Sequence, residues 1–261
     1  MIVALENWQH SREPNPLRAG EVHLWRAALA PTPEVRAVLS KSEWMRAARF
    51  HFEVDRERFI AARGLLRLIL AHYAGGDPRA LQFAPGPHGK PELISPPTAL
   101  RFNLSHSDDL LLLAVTHGRE VGVDLEFMRD NVPFETLADH YFDPDDAWDL
   151  RLLPPAKRPW KFYDIWTCTE AQLKASGIGM AQGWKVPDPE RWSMHKFAPA
   201  DGYAAALAVG GGEFRLECWS WEVAQPPRLS DVRAGSPPAQ PSDCRPGARS
   251  PDDSRGGCAA S

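Results

Sequence analysis

Two helix-length patterns, each closed by glycine and set among strand-length alternations, constrain this chain of 261 residues more than any other feature. Over residues 56–73, apolar side chains recur at Phe59, Ile60, Leu65, Leu66, Ile69 and Leu70, the spacing of a helix with one buried face, and Gly75-Gly76 stops it. A second helix over residues 160–176 ends at Gly177 and Gly179. Around the first helix lie a strand at 21–27, a short helix at 42–50 with Ser42 as its N-cap, and a strand at 100–107. Residues 110–116 and 121–127 are expected to form a hairpin through His117-Gly118-Arg119-Glu120. Around the second helix lie an acid-rich helical region at 133–153 and strands at 203–209 and 214–223, joined by Gly210-Gly211-Gly212. Each half thus has strands and one long helix, which predicts an α+β chain of two similar subdomains, residues 1–116 and 117–224. No residue-level repeat accompanies that division.

From Gln225 to Ser261 the composition shifts to Pro, Ser, Gly, Arg and Asp without one aromatic residue. Such a segment buries too little apolar surface to offset its ordering entropy, so residues 225–261 are expected to form a disordered tail. A formal net charge of −4 gives no reason to expect general nucleic-acid binding, which needs a broad basic face. Any polyanion must therefore be held by a local group of Arg and Lys. The longest apolar run, residues 110–115, is strand-sized and far short of the ~18 residues of a membrane span. The first residues have no secretory-signal pattern, and the four cysteines form no CxxC pair, so a reduced, cytoplasmic setting is expected.

Four clusters carry candidate chemistry. In Gly122-Val123-Asp124-Leu125-Glu126, read as a strand, Asp124 and Glu126 share one face while Val123 and Leu125 face the core. Two adjacent carboxylates repel, a cost that a divalent cation or a shared proton removes; the alternative is two solvated charges on an exposed strand. On the second long helix Glu170 and Lys174 are four residues apart, either a surface ion pair or part of a site. Asn103-Leu104-Ser105-His106-Ser107-Asp108 places hydroxyls and an imidazole at a strand end, suited to a phosphate. A Ser-His-Asp nucleophilic triad is rejected, since no GxSxG elbow is present and triad members are seldom sequence neighbours. Arg58, Arg63 and Arg67, with Lys90 in a Gly-Lys-Pro loop, form either a solvated basic face or a phosphate grip.

Taken in order, the Arg-bearing helix, Gly89-Lys90-Pro91, Phe102-Asn103-Leu104-Ser105-His106-Ser107, Gly122-Val123-Asp124-Leu125-Glu126 and Trp166-Thr167-x-x-Glu170-Ala171-x-x-Lys174-Ala175 closely resemble the 4′-phosphopantetheinyl transferase superfamily. The resemblance is to its longer, monomeric, two-subdomain class and spans roughly residues 20–210. It implies two similar α/β subdomains forming a pseudo-dimer, with coenzyme A in the cleft between them and a serine of an apo carrier protein as acceptor. Net charge and the lack of a span-length apolar run lead to the expectation of no nucleic-acid or membrane partner. Asp124, Glu126 and Glu170 match the family's Mg²⁺ site, and Glu170 also matches the residue that helps deprotonate the serine. Lys174 matches the lysine beside the pyrophosphate. Ser105 and His106 match the 3′-phosphate side of the nucleotide, and Lys90 with Pro91 the loop at the adenine and phosphates. Arg58, with Arg63 as the alternative, matches a 3′-phosphate arginine.

One departure stands out. The family usually has Lys-Glu where this chain has Thr169-Glu170. Loss of that cation is expected to weaken coenzyme A or carrier binding rather than the chemistry, with Arg158 or Lys161 as candidate substitutes. A member of the family that binds coenzyme A or a carrier with little turnover is the alternative this departure suggests.

Overall fold

The structure is a computed structural model that describes residues 3–4, 7–86, 89–178 and 184–222. Gly179 and the tail expected to be disordered, residues 225–261, lie outside the described residues. In chain order the elements are β1 (Val3–Ala4), β2 (Gln9–His10), β3 (Glu21–Ala28), α1 (Pro33–Ala37), α2 (Lys41–Ala47), α3 (Glu53–Ala74), β4 (Gln82–Pro85), β5 (Pro91–Ser95), β6 (Leu100–Ser107), β7 (Leu110–His117), β8 (Val121–Phe127), α4 (Phe134–Tyr141), α5 (Pro144–Leu152), α6 (Arg158–Ser176), β9 (Trp192–Ala198), β10 (Tyr203–Gly210) and β11 (Arg215–Ser220). The α+β class expected from the sequence is the one observed.

These elements build two sheets and a small β4–β5 ribbon. The five-stranded sheet has the order β2-β11-β3-β7-β6, and the four-stranded sheet the order β1-β9-β10-β8. Packing stacks them in four layers. α3 lies on one face of the larger sheet, where Ile60, Leu65 and Ile69 share a core with Trp25, Leu111 and Leu113. The sheets face each other through Val22, Leu24 and Leu112 against Val123, Leu125 and Leu207. α6 covers the remaining face of the smaller sheet, with Ala171 and Ala175 against Ala206 and Ala208. Leu113 and Ile69 are fully buried, and each such side chain contributes about 1.5–3 kcal/mol of transfer free energy.

Two sequence expectations need correction. The hairpin of residues 110–116 and 121–127 does not form. β7 pairs with β3 and β6, whereas β8 is an edge strand of the other sheet and pairs with β10. Both strands are buried on both faces, so each reads as a continuous apolar run that carries no information about its neighbour. The His117–Glu120 turn therefore hands the chain from one sheet to the other. The glycine turn after residue 209 does the same, because β11 runs parallel between β2 and β3. The second correction concerns α2, whose N-cap is Ser40 rather than Ser42. The Glu43 amide donates to Ser40 Oγ, and the Ser40 amide donates to Glu43 Oε2 at 2.9 Å, a reciprocal capping box.

A candidate active site where the two sheets meet

Strand alternation turns Gly122, Asp124 and Glu126 toward α6, while Val123 and Leu125 enter the core between the sheets. A Cβ at position 122 would fall on the Ala171 carbonyl oxygen and the Ala175 amide nitrogen, so only glycine lets the helix backbone come this close. That approach brings Glu170 and Lys174, one turn apart on α6, over the two strand carboxylates. The Lys174 ammonium donates to Asp124 Oδ1 at 2.6 Å and to Ser105 Oγ at 3.0 Å. Asp124 is 3% exposed and Glu126 half-buried, which removes the reading of two solvated charges on an open strand, and Glu170 above them on the helix is buried as well.

The edges of the two sheets meet at β6 and β8 through side chains rather than a backbone ladder. Asn103, Ser105 and Ser107 alternate along β6 and face β8 together. Asn103 Oδ1 accepts the Val123 amide at 2.8 Å. Ser105 donates to Asp124 Oδ1 at 3.2 Å, and Ser107 donates to Glu126 Oε2 at 3.0 Å while accepting the Phe127 amide at 3.0 Å. The sequence motif gives Asn103 no role and Ser107 only that of a hydroxyl at a phosphate-binding strand end. Their period of two was the signal that could have assigned one.

Crowding of like charges dominates the electrostatics. Burial first, and the neighbouring Asp124 second, push the Glu126 carboxyl up to about 7. The same two causes raise Glu170. Asp124 Oδ2 is buried and has no hydrogen-bond partner among the described residues. Hard oxygen donors, mutual repulsion and an unpartnered buried carboxylate oxygen fit a divalent cation such as Mg²⁺. As they stand, the side chains do not close around one point: among the described residues, no three His, Cys, Asp or Glu groups are near enough to hold a metal. Lys174 supplies the positive charge at Asp124 instead.

Beside this cluster opens a cavity of about 760 Å³, lined among others by Arg46, Phe59, Arg63, Arg67, Phe83 and His106. Neighbours on a strand point to opposite faces, so Ser105 faces the carboxylates and His106 the cavity. The two residues, grouped in the sequence expectation at the 3′-phosphate side of the nucleotide, thus leave opposite faces of β6. Burial, with Lys174 and Arg58 nearby, holds the His106 imidazole below its ordinary pKa.

A family model described as the N-terminal part of 4′-phosphopantetheinyl transferase matches residues 23–118, and one for the 4′-phosphopantetheinyl transferase superfamily matches residues 120–218. The 4′-phosphopantetheinyl transferase HetI of Nostoc sp. is 37% identical over 235 residues, covering 82% of this chain and 99% of its own. This chain belongs to the 4′-phosphopantetheinyl transferase superfamily. A putative 4′-phosphopantetheinyl transferase of Synechocystis sp. is 36% identical over 65% of this chain and 70% of its own. A 4′-phosphopantetheinyl transferase of Bacillus subtilis is 28% identical over 64% and 68%.

Within this transferase, several of the residues matched to the nucleotide already have partners in the chain. Arg58 is bound to Asp108 Oδ1 at 2.6 Å and Asp109 Oδ1 at 3.1 Å, at the β6–β7 turn. Arg63 does line the cavity, although Glu43 Oε1 accepts from it at 3.0 Å. Arg67 is buried and bonded to Glu43 Oε2 at 2.7 Å and to two backbone carbonyls, which makes it part of the frame. Arg46, which the sequence reading missed, contributes a cation to the cavity wall over the Phe59 ring. Pro91 lines the cavity, but the Lys90 ammonium donates to the carbonyls of Val121 at 2.9 Å and Lys174 at 2.8 Å. Burial lowers it to about 8. Lys90 thereby ties the last turn of α6 to the start of β8, where a cation also favours the helix dipole.

Thr169 donates to the Ile165 carbonyl of its own helix at 3.0 Å. Arg158 does not replace the missing lysine, since Glu135 and the carbonyls of Leu153 and Arg151 take its guanidinium.

Proposed function

We propose that this transferase moves the 4′-phosphopantetheine arm of coenzyme A onto a serine of an apo carrier protein, acyl or peptidyl, and releases 3′,5′-ADP. One observation carries the reading: Asp124, Glu126, Glu170 and Lys174 gather where β6, β8 and α6 meet, beside a basic cavity of nucleotide size. In this reading the serine Oγ bonds to the β-phosphorus of coenzyme A as the bond from that phosphorus to the bridging oxygen breaks. Glu170 takes the serine proton, directly or through water, and burial that raises its carboxyl suits it to do so. Lys174 holds a pyrophosphate oxygen and offsets charge on it. Arg46, Arg63 and His106 hold the nucleotide side. Asp124, Glu126 and Glu170 would hold Mg²⁺, which supplies neutralisation of the phosphoryl oxygens when bound.

The reading includes a cleft for coenzyme A between residues 1–116 and 117–224, and a monomer, since one chain supplies both sheets. Among the described residues no helix is long and apolar enough to cross a membrane. Free Cys168 and Cys218 suit the cytoplasm.

The deciding experiment incubates the protein with Mg²⁺, coenzyme A and apo carrier and weighs the carrier intact. A phosphopantetheine-sized gain that falls at least ~10²-fold in rate with Asp124→Ala is the expected result. Coenzyme A binding with no gain on several carriers would sink the transfer in favour of a binding protein, the alternative that neutral Thr169 suggests. Nucleotide release without carrier modification would indicate hydrolysis.

A further inference from the structure

The N-cap of α3 is a phenylalanine. Ser, Thr, Asp or Asn at that place would accept a first-turn amide, whereas Phe52 makes no side-chain cap bond. It is also 63% exposed, so it serves neither the cap nor the core. Around it, Trp44 and Met45 on α2, Phe50 in the turn and Val54 on the first turn of α3 are exposed as well. Cations flank this corner. Lys41 and Arg49 are exposed and have no carboxylate partner among the described residues, and Arg46 lies over the Phe59 ring at 5.3 Å. The Phe50 ring centre is 5.2 Å from that of Phe59, and Ser42, Arg46 and Phe59 line the large cavity. The apolar corner therefore begins at the rim of the nucleotide side.

Exposed Trp, Phe and Met beside Arg make up the composition of a protein-docking surface. Glu53 and Asp55 alternate with Phe52 and Val54, a placement that an anionic bilayer repels and a protein face of mixed charge accommodates. A second exposed apolar face, Trp148 and Leu152 on α5, carries Asp145, Asp146 and Asp149 and so has the opposite sign. Resting on the transfer reading above, we propose that the apo carrier docks on the α2–α3 corner through an acidic face with an apolar centre. Phe52 and Met45 anchor that face, and Lys41 and Arg49 steer it by charge.

The test uses the full chain and reads carrier KM, coenzyme A KM, kcat at saturating carrier, and direct binding of labelled apo carrier. Phe52→Ser separates docking from folding, because serine supplies the missing cap and should melt at or above wild type. Its carrier KM and carrier dissociation constant should nevertheless rise on the order of 10-fold, with kcat and coenzyme A KM within about twofold. Arg49→Glu should raise carrier KM likewise and weaken its dependence on ionic strength. Trp148→Ser, on the acidic face, should change carrier KM by less than about twofold. Wild-type carrier affinity in both Phe52→Ser and Arg49→Glu overturns the docking surface and leaves the transfer reading intact. So does loss of binding to phosphatidylglycerol vesicles, or of self-association, at unchanged carrier affinity, which would assign the corner to a lipid surface or a second copy. Neither binding nor transfer to any carrier by wild type overturns both.

Discussion

Glu126 shows how strongly the site strains its own charges. Between the ordinary carboxylate value of 4.5 and about 7, the folded chain holds a proton at Glu126 that the unfolded chain has released. This raised pKa gives stability that is fully present below 4.5 and lost as pH rises through about 7. Glu126→Gln, measured without divalent cation, should therefore melt above wild type at pH 8, by up to roughly 3 kcal/mol, with the difference fading toward pH 5. Buried His23 works the other way, since desolvation lowers its pKa and the fold loses ground as pH falls below 6.5. It is common to both proteins and cancels in the comparison. A constant difference across pH in differential scanning fluorimetry would refute the repulsion account. The alternation in residues 122–126 was enough to pair Asp124 with Glu126 from sequence. That Ser105 and His106 leave opposite faces of β6 follows from the same rule, whereas the motif match groups them at the 3′-phosphate side of the nucleotide.

At the scale of elements, the site depends on how closely α6 lies on β8. Gly122→Ala should drive the helix off the strand, costing about 1–3 kcal/mol or more, and displace Glu170 and Lys174. Activity should fall by more than thermal stability alone explains, with kcat affected even well below the melting temperature. Lys90 separates two accounts of its loop. If its ammonium serves α6, Lys90→Met should lower the melting temperature by several degrees and leave the coenzyme A KM within about twofold. A large rise in KM at unchanged stability would return Lys90 to the nucleotide. No local pattern announces such a role, because residues 90, 121 and 174 meet only in the folded chain. The β7–β8 misreading has a related origin. Alternation reports which face of a strand is buried, and these strands bury both.

For the whole molecule, the division into halves is crossed at both ends. β11, from near the C-terminal end of the described residues, sits inside the five-stranded sheet, and β1 extends the four-stranded one. Deleting residues 226–261 should leave transfer activity intact, whereas truncation before Arg215 should abolish soluble protein, because it empties a position between β2 and β3. Size-exclusion chromatography and the carrier assay read both outcomes. Two long helices and an α+β character were legible from periodicity alone. The insertion of β11 was not, since parallel pairing across some 190 residues leaves no trace in either strand's own sequence.

That placement also bears on synthesis. A ribosome delivers β2, β3 and β7 long before β11, so the growing chain must keep an interior sheet position open until late. The flank of β3 that β11 will cover is meanwhile an unpaired edge, open to strands of other nascent chains. Yield of this protein should thus be governed by translation speed and chaperone supply, even where the finished fold is secure.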